Sequence, residues 1–286
     1  GNSVNYAYDS EGNRLKEEIK DPQGALQKSL SSQYDALNRL TKAVNPDSSY
    51  SQVGYDALGN QTSVRDLLGN STTYQYDALS RVITAIQPGS VTTGFGYDSN
   101  SNLTRVTDAN SHATTYVYDD LGRVYQTVSP DTGTTTYTYD PAGNLATKTD
   151  ASGVTVSYSY DALNRLTRID FPSDTDITYA YDSCVNGKGR LCTVTDQSGS
   201  TTYEYTKKGQ IAKETRNIDG VAYLTQYTYD QNGNTRTVTY PSGRVITYTY
   251  TNSRVTGVLN NAAALASGIT YKPFGGMNAI TFGNNL

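Results

Sequence analysis

The chain has 286 residues and a formal net charge of −4, and 26 of its residues are tyrosine against 4 phenylalanines and no tryptophan. An acidic balance without a basic stripe offers no surface for neutralising phosphates, which argues against nucleic-acid binding. A mean hydropathy of −0.58 is low for a chain with a thick core, no apolar run approaches the roughly 20 residues of a membrane helix, and the Tyr and Thr content is too high and too periodic for disorder.

The chain opens at Gly1 with neither Met nor a signal sequence, and strand-like alternation is already running at Tyr6 and Tyr8. It is still running at Phe282, so the sequence reads as a piece of a longer protein. Between these ends tyrosine recurs as an anchor at Tyr8, Tyr34, Tyr55, Tyr76, Tyr97, Tyr118, Tyr139, Tyr160, Tyr181, Tyr205, Tyr229, Tyr250 and Tyr271. Every step from Tyr34 to Tyr181 is 21 residues; the first is 26, two of 24 follow Tyr181, and 21 then returns. A fixed period of this kind means one supersecondary unit stacked many times, with no domain boundary inside 1–286.

Residues 134–150, TTTYTYDPAGNLATKTD, show one repeat. Thr and Tyr alternate up to Tyr139, as in a strand with two different faces. Asp140, Pro141, Ala142, Gly143 and Asn144 have turn chemistry, a second strand starts at Leu145, and Asp150 to Gly153 turn again. Pairing Tyr139 with Leu145 places Tyr137 opposite Thr147. Pairing Thr149 with Val154 then places Thr147 opposite Val156 and Leu145 opposite Tyr158. This register predicts one face of Tyr137, Tyr139, Leu145, Val154, Val156 and Tyr158, and a polar face of Thr134, Thr136, Thr138 and Lys148. Tyr also stands two residues before the anchor in nine repeats, so these two positions hold 22 of the 26 tyrosines. They are expected to form cross-strand ladders.

Further along, Cys184 and Cys192 flank an insertion, residues 185–191. A disulfide between them would staple this loop and imply an oxidising compartment; two free thiols are the alternative. Residues 262–266, the longest apolar run, are expected to be a hairpin connection. Asp follows ten of the thirteen anchors, and Thr206, Thr251 and Lys272 replace it late in the array. The expected fold is therefore all-β: a continuous meander of about 13 hairpins, or about 26 strands. Open sheets of that width curl or split, and a curled strip of this composition would enclose a hollow.

The stretches Tyr76-Asp77-Ala78-Leu79-Ser80-Arg81-Val82 and Tyr160-Asp161-Ala162-Leu163-Asn164-Arg165-Leu166 resemble the YDxxGRL core of the RHS/YD-repeat family, and the resemblance covers essentially the whole chain. Asn60, Asn102 and Asn144 stand where that core has Arg. The resemblance implies a hollow shell wound from a spiral β-sheet. In bacterial Tc toxins and polymorphic RHS toxins such shells enclose a C-terminal toxic polypeptide; related repeats build the extracellular barrel of teneurins, which act in adhesion. Asp140-Pro141-Ala142-Gly143 has the letters of the DPxG autoproteolysis motif that ends bacterial shells, but it falls at an ordinary hairpin turn.

Catalytic readings are weaker than structural ones. Paired carboxylates run glycoside hydrolysis, but ten aspartates at one turn position are better explained by hydrogen bonds to backbone N–H groups. His112 is the only histidine; it has no second His for a metal site and no nucleophile-elbow motif for a triad. No catalytic, cofactor-binding or metal-binding residue and no cofactor is expected. The function expected is a structural segment of a secreted or cell-surface bacterial shell, with the rest of that shell and an enclosed effector as partners. The alternative is an extracellular adhesion module whose tyrosines bind glycans. Open sheet edges near Tyr6 and Phe282 are expected to favour self-association.

Overall fold

The computed structural model describes residues 2–272 and 275–283. Gly1 and residues 284–286, the outermost positions of the expected array, lie outside the described residues. Twenty-six strands, β1 to β26 in chain order, make up the described fold, which contains no helix. It is all-β, as the repeat predicts. The chain divides into two compact units, Gly1–Thr136 and Tyr137–Leu286. Within each, successive strands pair antiparallel as a meander of hairpins. In the first unit, β1 (Ser3–Tyr8) pairs with β2 (Arg14–Lys20), which pairs with β3 (Leu26–Tyr34). In the second, β14 (Leu145–Thr149), β15 (Thr155–Tyr160) and β16 (Leu166–Asp170) follow the same order.

The hairpins carry a feature that the expected register lacks. In twelve hairpins the pairing slips immediately before the anchor. Tyr160 meets Leu166 and Ser159 meets Arg168, which leaves Thr167 as an extra residue. This is a β-bulge, which bends its strand and interrupts the ladder. Its effect reaches the next hairpin. On the far side of β16 only Arg168 and Ile169 pair with the following strand, Ile177–Tyr181. The ladder between hairpins is therefore made at the end remote from the Tyr-Asp turn and is missing beside it.

The bulge, together with the five-residue turn from Asp150 to Val154, corrects the expected register. Thr149 meets Thr155 rather than Val154, Lys148 meets Val156, and Thr147 meets Ser157. Thr147 also shares a hydroxyl hydrogen bond with Thr138, at 2.6 Å, rather than facing Tyr137. Lys148 consequently lies on the face of Val156 and Tyr158, and with Val154, Ile169 and Phe171 these residues line a shallow depression. The division into an apolar and a polar face is less clean than alternation alone predicts. The apolar run 262–266 is also placed differently. Asn261 and Ala262, with φ of 46° and 75°, make a two-residue turn, and Ala263 begins a strand, Ala263–Tyr271.

Little of the chain is buried. Among the described residues the core consists of Ile19, Cys192, Val238, Ile246, Ala266 and Ile269, with Thr135 as a buried polar residue. Several pre-anchor tyrosines stand opposite aliphatic residues, Tyr158 facing Ile169, Tyr179 facing Val194 and Tyr227 facing Val238, whereas Tyr6 and Tyr203 face Glu17 and Glu214.

Gly199, paired with Ile218, has a φ of +134°, and a side chain there would run into the Asn217 backbone. Gly199→Ala is expected to lower stability by about 1–3 kcal/mol, read as a shift in the urea midpoint at unchanged slope.

Candidate functional site: the Tyr-Asp joint

Each bulge turns one carbonyl toward the next hairpin at the point where the ladder is missing. It belongs to the residue that pairs with the anchor, for example Leu40 opposite Tyr34 or Val82 opposite Tyr76. The anchor tyrosine of the following repeat supplies the donor. The Tyr55 hydroxyl donates to the Leu40 carbonyl at 3.1 Å, Tyr76 to Gln61 at 2.8 Å, and Tyr97 to Val82 at 2.9 Å. The same bond is made by Tyr34, Tyr118, Tyr181, Tyr205, Tyr229, Tyr250 and Tyr271. Partial burial pushes the phenols of Tyr76, Tyr118, Tyr160, Tyr229 and Tyr250 above their ordinary range. The expected tyrosine ladder is thus real as a lateral link, but hydroxyls make it. Tyr6 and Tyr8 do pair as rings, with centroids 6.2 Å apart.

The aspartate after the anchor builds the turn. In the Asp77 turn, Oδ1 accepts the backbone N–H groups of Leu79 at 2.9 Å and Arg81 at 3.0 Å. Oδ2 accepts Arg81 Nε at 2.7 Å. The backbone closes the same loop, with the Asp77 N–H donating to the Arg81 carbonyl and the Ser80 N–H to the Asp77 carbonyl, both at 3.0 Å. One carboxylate therefore satisfies three donors.

The residue four places after the anchor's Asp finishes the joint. Arg81 reaches from Asp77 into the next repeat, where Nη1 donates to the Asp98 carbonyl at 3.0 Å and to Ser101 Oγ at 3.1 Å. Its guanidinium lies over the Tyr97 ring, 4.7 Å from the centroid; Arg39 and Arg165 sit likewise over Tyr55 and Tyr181, each at 4.3 Å. Where Asn takes this place, as at Asn60, Asn102, Asn144 and Asn234, its Nδ2 donates to the turn's Asp Oδ2 at 2.8–3.0 Å. From Asn13 to Arg165 the two types alternate strictly: Asn13, Arg39, Asn60, Arg81, Asn102, Arg123, Asn144, Arg165. Sequence reasoning noted the asparagines without seeing this order, which a comparison of alternate repeats would have shown.

The teneurin YD-shell family profile matches residues 3–184. The chain belongs to that family. No curated protein matches the sequence. Among solved structures, the fold is similar to the crystal structure of TcdB2-TccC3-Cdc42, with a TM-score of 0.77 and 16% identity over 98% of this chain and 17% of that one. It is also similar to the Photorhabdus luminescens Tc holotoxin pore carrying the TccC3-D651A mutation, at TM-score 0.76 and 16% identity over 99% and 17% of the two chains. At these identities the likeness is one of fold, and this YD-shell chain spans a minor part of those it matches. The YD-repeat resemblance carried by the motifs is borne out.

Two departures from the YD-shell turn are informative. Thr206 retains the turn, its Oγ1 accepting the Gln210 N–H at 3.2 Å. At Thr251 the turn shrinks to Asn252 and Ser253, both with positive φ. The insertion after Asp182 forms a separate clasp. Cys184 and Cys192 are joined by a disulfide with Cα atoms 5.4 Å apart, and Cys192, the extra residue of its bulge, is 1% exposed. Gly187 packs where a Cβ would meet both sulfurs. The loop then bonds to the next anchor's backbone: the Tyr205 N–H donates to the Val185 carbonyl at 3.0 Å, and Asn186 Nδ2 to the Tyr205 carbonyl at 2.7 Å. His112 occupies an ordinary turn, its Nδ1 3.4 Å from Asp108 Oδ2.

All ten anchor aspartates have carboxyls held below their ordinary range. The leading cause in most is the side-chain donor four residues on; in Asp35 and Asp161 it is the backbone N–H of Arg39 and Arg165. Asp182 falls to about 2, chiefly through Arg165 and then through the Gly189 N–H. Its two oxygens receive Arg165 Nη1 and Nη2 at 3.2 and 2.6 Å. A general acid needs the opposite displacement, a carboxyl pushed upward.

A folded-state value below the unfolded one means that these groups stabilise the fold above about pH 4 and that this contribution disappears as the folded-state groups protonate. Melting temperature is therefore expected to hold from pH 7 to about 4 and to fall between about 4 and 2; Asp182→Asn should flatten part of that slope. Tyr97→Phe, which keeps the ring under Arg81 but removes the bond to Val82, is expected to cost about 0.5–1.5 kcal/mol in denaturant titration.

Proposed function

We propose that this chain is a structural, non-catalytic wall segment of a secreted bacterial RHS/Tc-type protein whose curled, hollow shell encloses a C-terminal effector polypeptide. Residues 1–286 serve in it as one uninterrupted repeat array. The observation that carries this reading is the fit of nearly the whole chain, 98%, onto 17% of a Tc toxin chain, as expected of a stretch of wall within a longer one. The thin core supports it, because a sheet this sparsely buried separates two spaces rather than filling one. The carboxylates support it too, since the turns occupy them in every Asp-bearing repeat. Its partners are the rest of the parent shell and the enclosed effector.

The test uses the full parent protein and its downstream segment. Negative-stain images are expected to show hollow particles, with the downstream segment resisting protease until the shell is opened by acid or denaturant. Solid or extended particles, or a segment digested at once, would overturn the reading. Retention on glycan arrays by the folded chain would point instead to adhesion.

A further inference from the structure

The joint between the Tyr181 and Tyr205 hairpins lies well inside the array and is held differently from its neighbours. The anchor bond is present, from the Tyr205 hydroxyl to the Leu191 carbonyl at 2.6 Å. The arginine is diverted: Arg190 Nη1 donates to the Asn186 and Lys188 carbonyls, both at 3.1 Å, inside its own loop. The tie to the next repeat comes instead from the loop. The Tyr205 N–H donates to the Val185 carbonyl at 3.0 Å, and the Tyr205 carbonyl accepts Asn186 Nδ2 at 2.7 Å. Val185 and Asn186 follow directly on Cys184, so the disulfide to Cys192 sets where both stand.

The two sulfurs are not equivalent. Cys192 is enclosed, whereas Cys184 is only half-buried and sits at the base of an exposed loop. Cys192 Sγ accepts the Cys184 N–H at 3.0 Å, a bond that strengthens as the sulfur takes up negative charge. Attack at Cys184 with Cys192 as the leaving group is therefore favoured by both access and charge. Gly187 packs against both sulfurs, so the space around them is already filled. Once the bond is cut, two thiols need van der Waals separation. Cys192 is fixed in its bulge, so the shift falls on Cys184 and on the two residues that hold Tyr205.

We propose that the Cys184–Cys192 clasp is a thiol–disulfide exchange site for low-molecular-weight thiols, and that exchange at Cys184 unlatches this one joint of the array. A thiolate attacks Cys184 Sγ, the S–S bond breaks, and Cys192 leaves as a thiolate that takes up a proton. A second thiol then displaces the first from Cys184 as a disulfide, so two thiols are oxidised as the two cysteines are reduced. Val185 and Asn186 are released from Tyr205, and only the anchor hydroxyl and the distant part of the ladder still hold the joint. The opening is local, because the hairpins on either side keep their own pairing. The latch does not depend on what the wall encloses.

The test exposes the oxidised chain to reduced glutathione without denaturant and quenches with N-ethylmaleimide. Peptide mapping is expected to find an intermediate with glutathione on Cys184 and the maleimide on Cys192. In hydrogen exchange, the Tyr205 amide is expected to exchange about 5- to 100-fold faster after reduction, while the amide of buried Val238 is unchanged. The double variant Cys184→Ser/Cys192→Ser should show the fast Tyr205 exchange with no response to glutathione; if it does not fold, glutathione on the unmodified chain still decides. Glutathione found on Cys192, reduction only in denaturant, or a Tyr205 amide indifferent to reduction would each overturn the proposal. So would exchange that rises as much at Val238 as at Tyr205.

Discussion

The array depends on one hydrogen bond, from the anchor hydroxyl to the bulge carbonyl. A bulge beside the turn, seen in twelve hairpins, strips backbone pairing from the joint between hairpins and would leave a half-buried carbonyl without a partner. Phenylalanine would fill the same space and leave that carbonyl unmet. Serine or threonine has the hydroxyl without the reach. Only tyrosine combines a ring long enough to cross the gap with a donor at its far end. The 2.6–3.2 Å span of these bonds across ten repeats shows how tightly that reach is matched. The tyrosine content of the sequence is a geometric requirement before it is anything else.

The other positions of the motif follow from holding that ring in place. Asp fixes the turn by accepting two backbone donors and one side-chain donor. Arg ties the turn to the following repeat and covers its tyrosine; guanidinium can do both at once because it is planar and carries several donors. The clasp of Cys184 and Cys192 attaches to the next anchor by a different route. Backbone from the loop reaches Tyr205 directly, in the one described repeat where the turn is replaced by an insertion.

Much of this was legible in the sequence. The period gave the number of hairpins, the Asp-x-x-Gly signature gave the turns, and the alternation of Tyr and Thr gave the strands. The bulge was hidden because it leaves no mark in composition. Thr167 and Ala212, the extra residues of two bulges, look like any other strand residue, and the face of Lys148 was misjudged for that reason. The Tyr hydroxyl bonds were hidden with it, since their acceptors are carbonyls exposed by the bulge. The use of Arg81 by three partners at once could be read only from coordinates, because those partners lie 4, 17 and 20 residues away.

The alternation of Arg and Asn gives the array a parity. Over this stretch its repeating unit is a pair of hairpins, 42 residues between Arg39 and Arg81 and again between Arg81 and Arg123. Losing or gaining one hairpin sets two arginines side by side; losing or gaining two preserves the order. A phase fault opens where Arg165 is followed by Arg190, and Gln210 and Asn234 after it do not restore the alternation. It coincides with the cysteine insertion, whose Asn186 and Lys188 carbonyls take up the Arg190 guanidinium. The insertion thus stands where the alternation of Arg and Asn ends.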